Sequence, residues 1–95
     1  MTDRLKVRRN PDLDRYELLD GDFILGIADY EVDGDTVVFP HTVVDPRRRG
    51  EGLGAVLVEG ALRDVRNTGR AVVPRCWYVK EFIDKHPQYK ALLAA

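Results

Sequence analysis

Short runs in which apolar and polar residues alternate dominate the first half of the chain. Residues 5–8 and 16–18 both alternate in this way, which is typical of strands with one solvated face. Residues 23–32 form a longer apolar run that predicts a central strand. Residues 36–44 are rich in β-branched side chains, which favour strands. The pattern therefore predicts a meander of strands before residue 45.

Turn-forming residues separate these runs. The Asn-Pro-Asp segment at 10–12 predicts a turn, because proline presets φ and its neighbours can bond back to the backbone. The Asp-Gly pairs at 20–21 and 33–34 are hairpin signals, and a two-residue type I′ turn with two positive φ values is expected at the second. Pro40 interrupts the last run. Since proline donates no ladder hydrogen bond, it marks a bulge or the point where this strand leaves its neighbour.

The apolar period changes from two to 3.6 residues after residue 52, as in an amphipathic helix. Glu59 and Arg63 form an i,i+4 pair on the predicted polar face. Gly69 is expected to end the helix as a left-handed cap. The predicted apolar face consists of Leu53, Val56, Leu57, Ala61 and Val65.

The pattern predicts three further elements towards the C-terminus. Residues 71–73 predict a short buried strand, residues 77–85 a helix and residues 88–94 a last short helical turn. The resulting order, β-β-β-β-α-β-α, predicts an α+β fold built on a mostly antiparallel sheet. The length of the chain favours a single domain over residues 1–95.

A turn rich in arginine and glycine, residues 45–54, joins the last strand of the meander to the first helix. The N–H groups and the dipole of a helix N-terminus favour an anion there. Glycines at 50, 52 and 54 let a ligand approach the backbone, and the arginines at 47–49 add donors suited to phosphate. The segment predicts a pyrophosphate cradle, although it fits neither the P-loop nor the dinucleotide fingerprint.

Composition narrows the classes of partner. The 95 residues carry a formal net charge of -1, so we expect neither a nucleic-acid nor a membrane partner. No run approaches the ~20 apolar residues of a membrane span, and the first residues lack the apolar core of a signal peptide. One cysteine permits no intrachain disulfide, which suits the reducing cytoplasm. With two histidines and one cysteine, no metal site is expected.

The segment Arg-Gly-Glu-Gly-Leu-Gly at 49–54 resembles the Arg/Gln-x-x-Gly-x-Gly/Ala motif of the GNAT superfamily of N-acetyltransferases. Three further landmarks are His-Thr-Val-Val at 41–44, Val-Pro-Arg-Cys at 73–76 and His-Pro-Gln-Tyr at 86–89. With these landmarks the chain resembles the small, truncated YjdJ-type branch of that superfamily.

The resemblance implies an acetyl-CoA-dependent N-acetyltransferase that acts on an unidentified amine. It implies a compact fold with a parallel strand pair that splays apart and leaves a wedge for the pantetheine arm. Backbone groups of Thr42, Val43 and Val44 would bind that arm. The amides of the motif would hold the pyrophosphate, through Arg49, Gly50, Glu51, Gly52, Leu53 and Gly54.

An alternative is a non-catalytic CoA-binding or protein-interaction module. Larger members of the superfamily carry extra helices that help to shape the acceptor site, and this chain lacks room for them. The sequence also leaves open whether the protein is a monomer or a weak dimer.

Two residues are candidates for the chemistry. Cys76 is expected where a strand ends and a helix begins, next to Arg75, and such a position favours the thiolate. In the truncated branch a cysteine at this place is a candidate nucleophile, or an acid–base group beside the departing CoA thiolate. The other interpretation is a buried structural cysteine. His41 is expected to serve as a base for the amine or as a partner of Cys76, or to be merely structural or exposed.

The remaining candidates are aromatic or basic. Tyr78 lies in the region where larger GNAT enzymes carry a tyrosine that acts as general acid, and it is at least as easily a packing residue. His86 is expected to cap helix carbonyls. Trp77, Phe82 and Tyr89 are interpreted as core or rim aromatics.

Overall fold

Seven strands and two α-helices form the fold, as shown by a computed structural model that describes residues 4–48 and 50–94. The strands are β1 (Leu5–Asn10), β2 (Arg15–Asp20), β3 (Phe23–Asp29), β4 (Glu31–Asp33), β5 (Thr36–Phe39), β6 (Thr42–Val44) and β7 (Ala71–Pro74). The helices are α1 (Leu53–Thr68) and α2 (Trp77–Lys85), and 3₁₀ helices cover Pro46–Arg48 and Pro87–Leu92.

The strands are divided between two sheets. One is antiparallel and has the order β1-β2-β3-β6, and the other has the order β4-β5-β7. In the second sheet β5 pairs with β4 antiparallel and with β7 parallel. The predicted α+β class with a mostly antiparallel sheet is therefore confirmed. The predicted element order is wrong in detail, because six strands rather than four precede α1 in the described residues.

The extra strands arise where two long runs break. The predicted central strand at residues 23–32 is split at Tyr30 into β3 and β4, which belong to different sheets. The Tyr30 side chain is buried against Tyr16, with 5.3 Å between ring centroids, and its N–H donates to the carbonyl of Asp14. Burial of this ring at the crossing point explains why an apolar run continues across a break. The run at 36–44 breaks at Pro40, as predicted.

The two predicted hairpins are present, with one correction. Gly21 and Asp22 connect β2 to β3, and Gly34 and Asp35 connect β4 to β5. Gly34 has φ +60°, whereas Asp35 does not have a positive φ. The expected type I′ turn is therefore wrong, because that turn needs positive φ at both central residues.

Helix α1 packs its apolar face on the antiparallel sheet. Every residue of the predicted face is buried except Val56, which is partly buried against the core. Gly60 allows the close approach, since a Cβ at this position would lie 2.5 Å from a methyl carbon of Val7 on β1. Gly69 has φ +78° and caps the helix, as predicted, and its N–H donates to the carbonyl of Arg66. The predicted Glu59–Arg63 pair is present at 3.9 Å.

Helix α2 and the C-terminal 3₁₀ helix close the other side of the core. The bounds of α2 are those predicted, with Val79, Phe82 and Ile83 buried. The expected last helical turn is a 3₁₀ helix in which Tyr89 is buried and donates a hydrogen bond to Glu59 at 2.9 Å. Within the part of the chain that the structure describes, neither helix has the length and apolar composition of a membrane span.

A buried carboxylate lies on the sheet. Glu17 alternates with the core residues Tyr16 and Leu18 along β2 and so points to the opposite face. It is 1% exposed, and its oxygens accept hydrogen bonds from Arg8, Asn10 and Arg15. The guanidinium of Arg8 and the other donors lower the pKa of Glu17 to about 2, against the opposing effect of burial. Arg8 and Glu17 both belong to runs that were predicted to be strands with one solvated face, and neither was a candidate for the site.

Candidate functional site

A cleft opens where two neighbouring strands diverge. Strands β5 and β7 run parallel and in register as far as Phe39 and Pro74. The N–H of Cys76 then donates to the carbonyl of Phe39 at 2.8 Å. After Pro40 the chain leaves β7, and β6 pairs with β3 instead. The gap between β6 and the end of β7 is the wedge implied by a splayed parallel pair.

The backbone of β6 presents polar groups to this cleft. The carbonyl of His41 accepts from the N–H of Asp29, and the N–H of Asp45 donates to the carbonyl of Leu25. Hydrogen bonds to a neighbouring antiparallel strand come from alternate residues. The N–H and C=O groups of Thr42 and Val44 therefore point away from β3 and into the gap.

The cleft has a volume of about 470 Å³, within the usual range of small-molecule sites. Strand β6 runs from Thr42 towards the glycine-rich turn, so Thr42 and Cys76 lie at the end of β6 farther from the turn. The described lining residues are Thr42, Val44, Arg48, Gly50, Gly52, Leu53, Gly54, Cys76, Trp77 and Tyr78.

The turn exposes backbone amides to the cleft. Gly50 and Gly52 have φ values of +83° and +72°, and the space where a Cβ would stand is open at both. Gly52 is the N-cap of α1 and has no side chain to cap it, and the bond from the Val56 N–H to its carbonyl is the first of the helix. The preceding N–H groups, from Leu53 to Ala55, have no helical acceptor. Their direction and the helix dipole suit an anion.

Tyr78 lies over the start of α1. A Cβ on Gly54 would stand 2.7 Å from the Tyr78 hydroxyl oxygen, so a larger residue at this position would require the Tyr78 ring to shift. Burial, with a smaller contribution from Glu81, raises the pKa of Tyr78. The phenol is therefore protonated at neutral pH and can act as a hydrogen-bond donor at this wall.

The described arginines of the turn are paired with nearby carboxylates. Arg48 lines the cleft and binds Glu51 through two nitrogens, at 2.7 and 2.9 Å. These bonds lower the pKa of Glu51. Arg47 binds Asp45 at 3.1 Å and lies in a different groove. Arg49, which was predicted to contribute to the cradle, lies outside the described residues.

Cys76 lies within the cleft wall as the N-cap of α2. Its side chain is 8% exposed, and Sγ donates to Oγ1 of Thr42 at 3.7 Å. The carbonyl of Cys76 accepts the N–H of Lys80, which begins the helix. The predicted position, where a strand ends and a helix begins, is therefore the observed one.

Two other candidates from the sequence are placed elsewhere. His41 is 58% exposed and its Nε2 lies 2.6 Å from Oδ2 of Asp29, away from the described cleft lining. Val43 is exposed in a groove beside Ile24 and Ile27, and its backbone is paired with β3. The structure therefore groups Cys76 with Thr42, Val44 and the glycine-rich turn, and does not add His41 or the side chain of Val43 to them.

The sequence of this chain matches a family model over most of its length. The model of the GCN5-related N-acetyl-transferase family matches residues 15–92. The chain belongs to this family. It is therefore an acetyltransferase, as the resemblance implied. A search of curated protein sequences gave no significant match.

Solved structures support the same fold. A GCN5-like protein from Staphylococcus aureus, determined by NMR, superposes with a TM-score of 0.72 at 19% identity, over 98% of this chain and 91% of that one. The ribosomal-protein-S18-alanine N-acetyltransferase from Escherichia coli gives a TM-score of 0.59 at 20% identity. That match covers 78% of this chain and 43% of the Escherichia coli chain. At these identities the structural likeness concerns the fold alone.

Two aromatic residues of this acetyltransferase were placed incompletely from the sequence. Trp77 was interpreted as a core or rim aromatic, and it lies on the cleft with 71% of its surface exposed. Tyr78 was considered for its position in α2, without its direction, and it faces Gly54. A signal for Trp77 was available, because Val79, Phe82 and Ile83 complete the apolar face of a helix over 77–85 without it.

The remaining polar candidates have structural positions. Nδ1 of His86 lies 2.8 Å from the carbonyl oxygen of Phe82, so the expected capping role of His86 is confirmed. Its ring also stacks on Phe82, with 4.0 Å between centroids. Within residues 4–48 and 50–94, no three His, Cys, Asp or Glu side chains come together as a metal centre would need.

Proposed function

We propose that this acetyltransferase uses acetyl-CoA to acetylate a primary amine, and that it belongs to the truncated YjdJ-type branch. The observation that carries the proposal is the cleft itself. One wall offers peptide groups of β6, the glycine-rich turn offers amides for an anion, and Cys76 lies at the end farther from the turn. The glycine-rich motif and the three further landmarks, at 41–44, 73–76 and 86–89, support the placement in the truncated branch.

The polar groups of the cleft complement the pyrophosphate and the pantetheine arm of CoA. The amides at the start of α1, with Gly50 and Gly52 leaving the approach open, would hold the pyrophosphate. Peptide groups of Thr42 and Val44 would bind the amides of the pantetheine arm in the manner of an added strand. Bound acetyl-CoA supplies an activated acetyl thioester.

Residues at the thioester end suggest how transfer is assisted. The N–H of Val44 or of Thr42 points into the cleft and would polarise the acetyl carbonyl. The Cys76 thiol donates a hydrogen bond to Oγ1 of Thr42, so it is oriented as a donor. We infer that a neutral amine attacks the acetyl carbon directly, that the C–S bond of the thioester breaks, and that Cys76 protonates the departing CoA thiolate. The excess proton on the acetylated nitrogen then returns to the Cys76 thiolate. The covalent alternative requires a base for the thiol, and His41 is paired with Asp29 rather than directed at Cys76.

The binding half of the proposal is tested by calorimetry. CoA should bind and free pantetheine, which lacks the pyrophosphate, should bind much more weakly. Gly52→Ala should weaken CoA binding at least about tenfold, because a Cβ enters the path of the ligand to the amides. Gly34→Ala is the matched control, since Gly34 also has a positive φ and open space, yet lies in a hairpin. Equal CoA affinities for both variants and the wild type would place the cradle elsewhere.

The chemical half is tested at Cys76. Cys76→Ala should bind CoA as tightly as the wild type and lose about 100-fold in acetyl transfer, the usual contribution of a positioned acid. Thr42→Val, which removes the acceptor of the Cys76 thiol, should lose less. Intact-mass analysis with acetyl-CoA should show no acetyl adduct on the wild type. An adduct that disappears in Cys76→Ala would select the covalent route, and a wild-type rate in that variant would remove Cys76 from the mechanism.

A further inference from the structure

The guanidinium of Arg48, which lines the cleft, has a carboxylate on each of two sides. Glu51 accepts hydrogen bonds from its Nε and Nη2, at 2.7 and 2.9 Å. Oδ2 of Asp20, at the end of β2, lies 4.0 Å from the remaining nitrogen, Nη1. Glu51 therefore occupies one two-nitrogen edge of the guanidinium, and Asp20 lies beside the nitrogen outside that edge.

The two carboxylates differ in how firmly the backbone fixes them. Asp20 pairs with Leu5 of β1 and with Phe23 of β3, so neighbouring strands fix it from both sides. Glu51 lies in the turn between two glycines of positive φ, which restrain the backbone least. The side chain of Glu51 is also the more exposed, at 46% against 29% for Asp20. An anion would therefore displace Glu51 more easily than Asp20.

The edge that Glu51 occupies is also an edge that a phosphate can use. A guanidinium binds a carboxylate or a phosphate through two parallel N–H bonds. A pyrophosphate that takes over Nε and Nη2 displaces Glu51 and leaves Nη1 beside Asp20. The backbone of Arg48 is already fixed, since its N–H donates to the carbonyl of Asp45 at 3.0 Å. With Glu51 displaced, Asp20 remains to restrain the guanidinium.

The second oxygen of Asp20 makes the residue suitable for substitution. Its Oδ1 is buried and has no hydrogen-bond partner among the described residues, although Nε of Arg4 lies 3.5 Å away. A buried carboxylate oxygen without a hydrogen bond costs free energy rather than stabilising the fold. An asparagine at this position breaks no hydrogen bond of the described structure, so we expect the variant to fold.

We propose that Asp20 is a positioning residue that keeps the guanidinium of Arg48 directed at the pyrophosphate once the anion has displaced Glu51. This inference rests on the proposed binding of acetyl-CoA. It goes beyond that proposal by assigning to the site a residue of the β2–β3 hairpin, far in sequence from the glycine-rich turn.

The test compares the CoA affinities of Asp20→Asn and the wild type by calorimetry. If charge alone mattered, removal of a negative charge near an anion would tighten binding. Positioning predicts the opposite, a loss of about fivefold, because a guanidinium without its partner must be ordered on binding. The matched control is Asp22→Asn, an exposed position of the same hairpin, which should stay within about twofold of the wild type. Unchanged or tighter binding in Asp20→Asn would overturn the inference.

An Arg48→Ala background separates positioning from damage to the fold. In that background Asp20→Asn should cause no further weakening of CoA binding, because the side chain that Asp20 positions is gone. An equal loss in both backgrounds would show that Asp20 acts on the fold and not through Arg48, and would overturn the inference.

A measurement on the free protein keeps the inference separate from the proposed function. The NMR signals of the arginine side chain report how fast the Arg48 guanidinium rotates, and a bound guanidinium rotates slowly. In Glu51→Gln this rotation should stay slow, and adding Asp20→Asn should make it faster. Equal rotation rates in these two proteins would overturn the inference. Failure of the wild type to bind CoA would instead overturn the proposed function, and the rotation rates would then decide whether Asp20 restrains Arg48.

Discussion

Two clusters in this molecule pair arginines with carboxylates, and they differ in what surrounds the pairs. On the sheet, Arg8 and Arg15 converge on one carboxylate, Glu17, which is buried. At the mouth of the cleft, Arg48 pairs with Glu51, and both side chains remain substantially exposed. The sequence makes the two clusters look alike, since in each an arginine lies within three residues of an acid.

Burial gives the two clusters opposite properties. The Glu17 oxygens are shared among three donors and are themselves shielded from water, although the Arg8 side chain is more than half exposed. An exposed ion pair such as Arg48–Glu51 contributes little to stability and exchanges readily with other ions. The first cluster therefore stabilises the fold, and the second is free to exchange partners, as the proposed pyrophosphate site requires.

The largest effect is expected when the buried cluster is broken. Glu17→Gln removes the charge that three donors surround and leaves two guanidinium groups beside a neutral amide. We expect the free energy of unfolding to fall by about 2 kcal/mol, measured by urea denaturation. Glu31→Gln, the same change at an exposed site on β4, should stay within about 0.5 kcal/mol of the wild type. Similar losses in both variants would remove the distinction between the clusters.

The same cluster should set the acid limit of stability. The folded pKa of Glu17 is lowered from 4.5 to about 2, so the stabilisation is present above pH 4.5 and is lost as the pH falls towards 2. The melting temperature of the wild type should drop through this window, and that of Glu17→Gln should drop less. An identical acid profile in both proteins would show that other carboxylates control the transition.

The sequence predicted the parts of this fold that depend on short-range patterns. The bounds of α2, the Gly69 cap and the apolar face of α1 follow from the 3.6-residue period and from the chemistry of glycine. The glycine-rich turn could be placed between strand and helix for the same reason. Its role as a cradle remains a prediction that the experiments above address.

What the sequence did not predict depends on which strands become neighbours. Alternation gives two faces to residues 41–44, but the pairing of β6 with β3 decides that the peptide groups of Thr42 and Val44 face the cleft. The same pairing brings the His41 side chain next to the carboxylate of Asp29 on β3. In the sequence Glu17 has the pattern of any polar strand residue. Only the register of β1 and β2 places Arg8 opposite it. Such relations are set by tertiary contacts that local patterns do not contain.

The smallest effect sharpens the comparison at the exposed cluster. Glu51 accepts hydrogen bonds from the guanidinium of Arg48, and it also places a negative charge beside the proposed pyrophosphate site. Glu51→Gln should therefore tighten CoA binding about threefold, with little change in stability, because an exposed pair is worth less than about 1 kcal/mol. The side chain of Arg48 would then be free to bind phosphate in place of the carboxylate.

Salt and a control variant identify the cause of that gain. Calorimetric titration at low and high ionic strength should show the gain shrinking as salt screens the charges. Glu31→Gln changes the net charge equally and should leave the affinity for CoA unchanged. A weaker affinity in Glu51→Gln would mean that Glu51 holds Arg48 in its binding position rather than competing for it, and the exposed cluster would then be as fixed in its role as the buried one.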